Sequence, residues 1–399
     1  MDTVTTVIVI LGIFIALAFN FSNGRNDASN TIATVVATRA LRPQVAIIIA
    51  SVCCLAGPFV FSTAVAKTIG KGIVNPEIFT PFLLFIGLCG AVLWVNFCSH
   101  NGIPVSSSHS LVGGLIGAGL AEGGFAVIFG PSPEMFFGML YYLAIGAAAG
   151  ALIMFLLAVI FKDSIKVFTI LGACVGAVIA VPIAMILGIF QFSGLLAILL
   201  FICVSPMLGL VVSYLFTIIL TRITTRRVKH PMKMNKWFQR VQILGSGFQA
   251  LSLGGNDAQN AMGIIFAILL SVGLIGAEDA LPWWVIILSA VAISAGILSG
   301  GWKVIKKMGM DITKLVPYQG FSASVSGGLV LSFMTTFGVP VSTTHVASGT
   351  IMGTGVTKGV GAVNWGTVRQ MVTAWIITIP CAGAVSFIGY LVFSFIFGF

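Results

Sequence analysis

Long apolar segments alternate with short polar ones along almost the whole chain. About 20 consecutive apolar residues form a helix that crosses the hydrocarbon core of a bilayer, and eight segments reach or approach that length. The pattern therefore predicts an all-α polytopic membrane protein. The predicted spans are Val4–Thr38, Val45–Val65, Met135–Phe161, Val167–Phe190, Leu195–Leu220, Val241–Ile275, Leu281–Leu298 and Met371–Phe397.

Two further apolar segments are each divided near the middle by a proline. Phe82–Leu120 contains Pro104, and Gly320–Val356 contains Pro340. Because proline breaks a helix, we interpret each segment as a re-entrant helical hairpin that enters the membrane, turns and leaves on the same side. Such backbone is tolerated only where protein buries it or where it lines a cavity. The two turns are therefore candidate functional sites.

Composition supports a membrane protein and excludes other classes. Charged residues make up 8% of the 399 residues, against about 25% in soluble domains, and the mean hydropathy is +1.12. A soluble enzyme and a disordered chain are therefore excluded. The seven cysteines lie within apolar segments and form no CxxC pair, so we predict small buried side chains and neither zinc ligands nor disulfides.

The net charge of +10 is carried mostly by short loops, where positive charge sets membrane orientation. Seven basic residues and no acid occur in the predicted loop Arg222–Arg240, which we therefore place in the cytoplasm. We therefore predict a protein of the cell inner membrane. Eight spans and two hairpins then place both termini on the outer side of that membrane. This topology fits every loop except the stretch that contains Lys67 and Lys71. Nucleic-acid binding is not expected.

Two motifs occur twice, in the same order. An Asn-Asp-Ala-x-Asn motif begins at Asn26 and again 230 residues later at Asn256. A Pro-Val-Ser motif, followed by two hydroxyl residues and a histidine, begins at Pro104 and again 236 residues later at Pro340. The two copies have opposite orientations in the predicted topology, which makes an inverted repeat. Such repeats place a binding site near the bilayer midplane, where the repeats meet.

The repeat divides the chain into four parts. We assign 1–161 to repeat 1, 162–221 to linking membrane helices, 222–240 to the basic loop and 241–399 to repeat 2. Gly24 precedes the first Asn-Asp pair, and Gly254-Gly255 precede the second. These glycines predict that the helix is broken at each pair, as transporter sites built from discontinuous helices require.

Asp27 and Asp257 are the only acids within the predicted spans. An acid inside the membrane costs roughly 3 kcal/mol, so each needs a partner. A capping role at a helix break is one interpretation, and cation coordination or proton transfer is the other. Carboxylate, amide and unwound carbonyl oxygens together suit a small alkali cation. The predicted sodium ligands are Asn26, Asp27, Asn30, Asn256, Asp257 and Asn260.

Hydroxyl residues follow the proline at each hairpin turn and should begin the second arm. The amides and positive dipole end of a helix N-terminus favour an anion, although N-capping without a ligand is the alternative. A nearby histidine, His109 or His345, is a proton relay or a structural residue. The predicted anion-binding residues are Ser106, Ser107, Ser108, Ser342, Thr343 and Thr344, together with Asn26, Asp27, Asn256 and Asp257.

An anion beside two aspartates is repelled unless a cation intervenes or the anion carries a proton. Phosphate near neutral pH is partly protonated and can donate a hydrogen bond to a carboxylate, which sulfate cannot do. The aspartates therefore favour phosphate over sulfate.

The duplicated Gly-x-Asn-Asp-Ala-x-Asn motif resembles the signature of the PiT family of inorganic phosphate transporters, which are sodium or proton symporters. Both hairpin motifs and the segment from Gly301 to Phe321 resemble that family too. Arg25 departs from the small residue more common before the first Asn. The resemblance implies a prokaryotic member, often a homodimer, with a phosphate site between its halves. The positions implied to line it are Asn26, Asp27, Asn256, Asp257, Ser107, Ser108, Thr343 and Thr344.

We therefore expect a symporter that imports phosphate with a cation, sodium being favoured, by alternating access and without an organic cofactor. A sulfate permease of the same architecture and a proton-coupled phosphate carrier are the nearest alternatives. An anion channel is a further one. An enzyme is not expected, because no nucleophile–base pair or metal-ligand cluster occurs beyond the two histidines.

Overall fold

The computed structural model describes residues 3–67, 80–127, 133–161, 165–187, 194–227, 231–276, 279–339 and 341–397. Within these ranges thirteen α-helices have both ends described, residues 64–67 are also helical, and no strand is described. They are α1 Thr3–Ala37, α2 Pro43–Val60, α3 Pro81–His100, α4 Ser107–Gly123, α5 Pro133–Phe161, α6 Ile165–Ile186, α7 Gly194–Arg227, α8 Pro231–Ser271, α9 Trp283–Ser299, α10 Trp302–Lys306, α11 Pro317–Thr336, α12 Thr343–Val356 and α13 Trp365–Phe397.

The predicted spans correspond to eight of these helices, α1, α2, α5, α6, α7, α8, α9 and α13. Six helices in the described ranges are long and apolar enough to cross a bilayer, and α9 and α10 add a seventh if the two, bent by 69°, form one span. The arm Pro81–His100 is among the six, so length does not distinguish it from a span. The topology of eight spans and two hairpins stays a prediction. Lys71 and the end of the predicted span Val167–Phe190 lie outside the described residues.

The segment 222–240, predicted as a loop, is largely helical. Helix α7 runs on to Arg227, and α8 already begins at Pro231. The lysine, arginine, methionine and glutamine residues of this segment are good helix formers. The helices can therefore continue beyond the apolar segments that predicted them.

Each predicted hairpin is a pair of helices joined by a short turn. Helices α3 and α4 are joined by 101–106, and α11 and α12 by 337–342; Pro340 itself lies outside the described residues. Gly102 has φ +68° and Gly338 has φ +69°, a left-handed conformation that glycine adopts without strain. The two matched glycines therefore make the two turns alike.

Both helices that carry an Asn-Asp pair are continuous, which corrects the predicted breaks. Helix α1 passes through Asn26 and Asp27 without interruption, and α8 passes through Asn256 and Asp257. Their backbone carbonyls are therefore engaged in helical hydrogen bonds. The unwound carbonyl groups expected beside the aspartates have to come from another segment.

The glycines beside the Asn-Asp pairs allow close helix packing instead of a break. A Cβ on Gly24 would lie 2.0 Å from the carbonyl oxygen of Ile293 in α9. A Cβ on Gly254 would lie 2.1 Å from that of Cys54 in α2. Helix α1 therefore packs directly on α9, and α8 on α2, as small residues permit in membrane helices.

The second arm of each hairpin rests on a long outer helix through matched glycines. A Cβ on Gly117 of α4 would lie 2.0 Å from the carbonyl oxygen of Gly383 in α13. A Cβ on Gly353 of α12 would lie 2.2 Å from that of Leu210 in α7. These contacts pack the second arms on α13 and α7, while hydrogen bonds from Asn26 to Val105 O and from Asn256 to Val341 O join the two turns to α1 and α8.

Candidate functional site

The carboxyl groups of Asp27 and Asp257 meet between the two hairpin turns. Their relative exposures are 0% and 1%, and one hydroxyl, that of Thr343, lies within hydrogen-bond distance of both carboxyl groups, which places the two acids side by side. Their other described partners are hydroxyl and amide groups, with no lysine or arginine among them. Two buried carboxylates in contact repel each other unless a proton or another cation compensates their charge. The site therefore requires positive charge from outside the described side chains.

Hydroxyl groups of the second hairpin lie against both carboxyl groups. The Thr343 hydroxyl is 2.9 Å from Asp257 Oδ2 and 3.1 Å from Asp27 Oδ2. It has one hydrogen, so it donates to one carboxylate at a time. The Thr344 hydroxyl lies 2.8 Å from Asp27 Oδ1 and 3.1 Å from the carbonyl oxygen of Val105. One hairpin thus contacts the acid of each motif.

The first asparagine of each motif ties a carboxyl group to a hairpin turn. Asn26 Nδ2 donates to the neighbouring aspartate at 2.8 Å and to Val105 O at 2.8 Å. Asn256 Nδ2 donates to its neighbouring aspartate at 3.1 Å and to Val341 O at 3.0 Å. These amides offer N–H groups to the carboxylates, so their role as cation ligands stays a prediction. The unwound carbonyl groups beside the aspartates belong to the hairpin turns.

The last asparagine of each motif contacts the hairpin of the other half. Asn30 Nδ2 donates to Thr344 Oγ1 at 3.2 Å, and Asn260 Nδ2 donates to Ser108 Oγ at 3.1 Å. These residues hold corresponding positions in the two copies of each motif. The structure therefore brings residues from both halves of the chain into a single cluster.

The remaining tip residues have different partners. Ser106 and Ser342 cap their helices, because each side chain accepts a hydrogen bond from the backbone N–H of the histidine three residues later, at 3.3 Å. The side-chain oxygens of Ser106 and Ser342 are therefore N-caps, which is the alternative to anion binding considered above. Ser107 donates to Asn23 Oδ1 at 2.6 Å, whereas its counterpart Thr343 contacts the aspartates. The two tips are thus unequal.

Three residues of the cluster do not appear among the predicted site residues. Asn23 is fully buried and receives the hydrogen bond from Ser107. Ser99 donates to Asn26 Oδ1 at 3.2 Å, and Thr335 donates to Asn256 Oδ1 at 3.3 Å. Ser99 and Thr335 are 236 residues apart, the offset of the hairpin motifs. A search for hydroxyl residues that match at this offset would therefore have identified the pair from the sequence.

Removing either supporting hydroxyl should weaken the phosphate transport predicted from the sequence by a similar factor. Ser99→Ala and Thr335→Val each delete a hydrogen bond to a motif asparagine, a loss of about 0.5–1.5 kcal/mol. We expect the phosphate concentration at half-maximal uptake to rise roughly 2- to 12-fold in each variant. Thr336→Val is the matched control, because Thr336 is exposed and its hydroxyl bonds only to its own helix. An unchanged half-maximal concentration in both variants would contradict the supporting role.

His109 and His345 pack against each other behind the two tips. Both are buried, and their ring centroids are 4.9 Å apart. His345 also lies 3.9 Å from the ring of Trp375, whose indole N–H donates to Pro104 O at 3.2 Å. This packing joins both hairpins to α13 and supports the structural interpretation of the histidines. Arg25 differs from the histidines in that its backbone makes the described contact: a Cβ on Gly301 would lie 2.5 Å from the carbonyl oxygen of Arg25.

These features define a multi-pass membrane protein with a buried acidic cluster between two helical hairpins. The model of the phosphate transporter family matches residues 23–171 and 164–386. The chain therefore belongs to the phosphate transporter family. Because this is a family of transporters, it agrees with the interpretation of the chain as a transporter and not an enzyme.

Named relatives cover almost the whole chain. A probable low-affinity inorganic phosphate transporter of Rhizobium meliloti is 36% identical over 98% of both chains. A Bacillus subtilis protein of the same description is 34% identical, also over 98% of both chains. A solved structure described as the sodium-dependent phosphate transporter aligns with a TM-score of 0.68 and 26% identity, covering 98% of this chain and 100% of that one.

Proposed function

We propose that this protein is a secondary active symporter that imports inorganic phosphate together with sodium across the cell inner membrane. The observation that carries the proposal is the contact between Asp27 and Asp257, which lack a basic partner in the described residues. A transported cation would supply the missing charge. Phosphate is the substrate suggested by the family and by the names of its relatives, and the solved relative's name suggests sodium.

Sodium would bind among the oxygens that converge on the two acids. Both carboxylates, the Thr343 and Thr344 hydroxyls and the carbonyl of Val105 provide a hard-oxygen environment, which alkali cations favour. The motif asparagines would also be ligands if their side chains rotated an amide oxygen towards the ion. They are Asn26, Asn30, Asn256 and Asn260.

Cation binding would prepare the anion site. The Thr343 and Thr344 hydroxyls donate to carboxylates in this structure. A sodium ion on the carboxylates competes for the same oxygens and releases the hydroxyls to donate to phosphate at the helix N-terminus. Ser107 and Ser108 would supply the other tip. Each ligand thereby improves the site for the other, which couples their movement.

Alternating access would arise from movement of the two hairpins around this cluster. The corresponding contacts Asn30–Thr344 and Asn260–Ser108 support two repeats that meet at one site, with the boundaries assigned from the sequence. The outside termini, the cytoplasmic basic segment 222–240 and a homodimer belong to the same proposal.

Reconstituted protein should take up labelled phosphate when an inward sodium gradient is imposed at clamped pH and membrane potential. We expect uptake to saturate with phosphate and to show counterflow, because a carrier binds its substrate in each cycle. Potassium in place of sodium is the control. Uptake that follows a proton gradient without sodium would instead indicate proton coupling, and non-saturating flux without counterflow would indicate a channel. Unlabelled sulfate should compete poorly, and strong competition would indicate a sulfate permease.

A further inference from the structure

A cavity of about 520 Å³ lies at the base of the second hairpin, away from the acidic cluster. It lies between the segments 310–314 and 358–364. The Thr313 hydroxyl donates to Ala362 O at 2.8 Å, and the Lys358 ammonium donates to Lys314 O at 2.9 Å. These two hydrogen bonds connect the segments on either side of the cavity and define its walls.

Positive charge exceeds negative charge in the cavity lining and in the segments around it. Lys314 and Lys358 line it together with a single acid, Asp311. Partial burial lowers the pKa of the Lys358 ammonium, because desolvation disfavours its charged form. An anion in the cavity would offset that cost. The basic residues of the segments 301–320 and 355–370 are Lys303, Lys306, Lys307, Lys314, Lys358 and Arg369, against Asp311 alone.

Exposed apolar side chains occur in and beside the segments that line the cavity. Met310 lines the cavity and is 54% exposed. Val360 and Trp365, 63% and 46% exposed, directly adjoin the lining residues Gly361 and Asn364 in the chain, and the Trp365 indole N–H donates to Val360 O. Tryptophan is enriched at the level of lipid headgroups. A cationic cavity beside exposed apolar side chains is complementary to a headgroup phosphate with its acyl chains alongside. A free anion would leave these apolar side chains uncovered, so the site favours a lipid over inorganic phosphate.

The cavity wall is in direct contact with the end of α12. A Cβ on Gly355 would lie 2.9 Å from Val363 and 3.0 Å from Thr313. Helix α12 begins at Thr343, whose hydroxyl contacts both aspartates. A ligand that bridges Lys314 and Lys358 would therefore restrain the helix that presents the second tip.

We propose that this cavity binds the headgroup phosphate of an anionic phospholipid and thereby braces the base of the second hairpin. Lys314 and Lys358 would contact the phosphate, and Met310, Val360 and Trp365 would contact the acyl chains. Binding at this site does not depend on the transport function proposed above.

The test measures thermal unfolding of the full chain in detergent with added phosphatidylglycerol or phosphatidylcholine. Phosphatidylglycerol should raise the unfolding temperature of the wild type more than phosphatidylcholine does. In the double variant Lys314→Gln/Lys358→Gln the apparent Kd for phosphatidylglycerol should rise at least about tenfold, as expected for the loss of two charge-assisted contacts. Lys306→Gln is the matched control, because Lys306 is exposed and lies outside the cavity lining.

Two further arms make the outcome decisive. The variant Lys314→Arg/Lys358→Arg keeps the charge and should keep the lipid-dependent shift, even if the glutamine variant is unstable. Inorganic phosphate should shift the wild type and the glutamine variant equally, because any such effect arises elsewhere. An equal lipid effect in all variants, or a phosphate effect lost only in the glutamine variant, would overturn the lipid assignment.

Discussion

Asp27→Asn and Asp257→Asn should each abolish sodium-driven phosphate uptake. Asparagine keeps the shape of the side chain but removes one of the two negative charges that would attract a bound sodium ion. Loss of one partner from a buried charge pair costs about 2–5 kcal/mol, which corresponds to a roughly 30- to 4,000-fold loss of sodium affinity. Asp279→Asn is the matched control, because Asp279 is exposed and contacts only the nearby backbone.

The same substitutions should leave the protein folded and raise its unfolding temperature in sodium-free buffer. Either change removes a contact between two buried acids, which is unfavourable without a compensating cation. A sodium-induced rise in unfolding temperature should be present in the wild type and absent from both variants. Wild-type uptake by either variant would show that the acidic pair is not the coupling site.

Gly24→Ala and Gly254→Ala should each destabilise the protein strongly. Helix propensity alone predicts the opposite, because alanine in a helix interior is favoured over glycine by about 1 kcal/mol. The new methyl group, however, would lie 2.0 Å or 2.1 Å from a backbone carbonyl oxygen of the neighbouring helix. Overpacking costs typically 1–3 kcal/mol and more where the neighbour cannot move. The carbonyl oxygens of Ile293 and Cys54 belong to helix backbones and cannot move away, so the larger cost applies.

The variant Gly389→Ala is a control that separates the gain in helix propensity from the steric cost of the added methyl group. Gly389 lies within α13, and a Cβ there would meet its nearest neighbour, Ile86, at an ordinary 3.7 Å. We expect this control to keep or raise the unfolding temperature measured in detergent, while both close-packed variants lower it. A rise in all three would mean that α1 and α8 separate easily from their neighbours, and the packing interpretation of the glycines would be wrong.

The hydrophobic pattern locates the apolar part of each long helix but not the extension of α7 and α8 into the basic segment 222–240. The repeated motifs identify the two acids. Asp27 and Asp257 are the only acids in the predicted spans, and the structure places both within hydrogen-bond distance of the Thr343 hydroxyl. The proline and hydroxyl residues of each hairpin correctly predicted a turn followed by a new helix at Ser107 and Thr343.

The prediction of broken helices failed because a glycine has two uses that sequence alone does not distinguish. Glycine weakens a helix, but it also allows a second helix to approach. Gly24 and Gly254 serve the second purpose, and only the positions of Ile293 and Cys54 reveal it. The partners of the tip hydroxyls were equally hidden, because Thr343 and Ser107 occupy equivalent motif positions but contact different residues.

Phosphate binding measured by calorimetry with and without sodium tests the central claim most directly. If sodium at the Asp27–Asp257 pair prepares the phosphate site, sodium should lower the Kd for phosphate by about 5- to 150-fold relative to potassium, as for typical coupling free energies. Phosphate should lower the Kd for sodium by the same factor, and Asp257→Asn should remove both effects. An identical phosphate Kd in sodium and potassium, or full coupling in Asp257→Asn, would contradict the account.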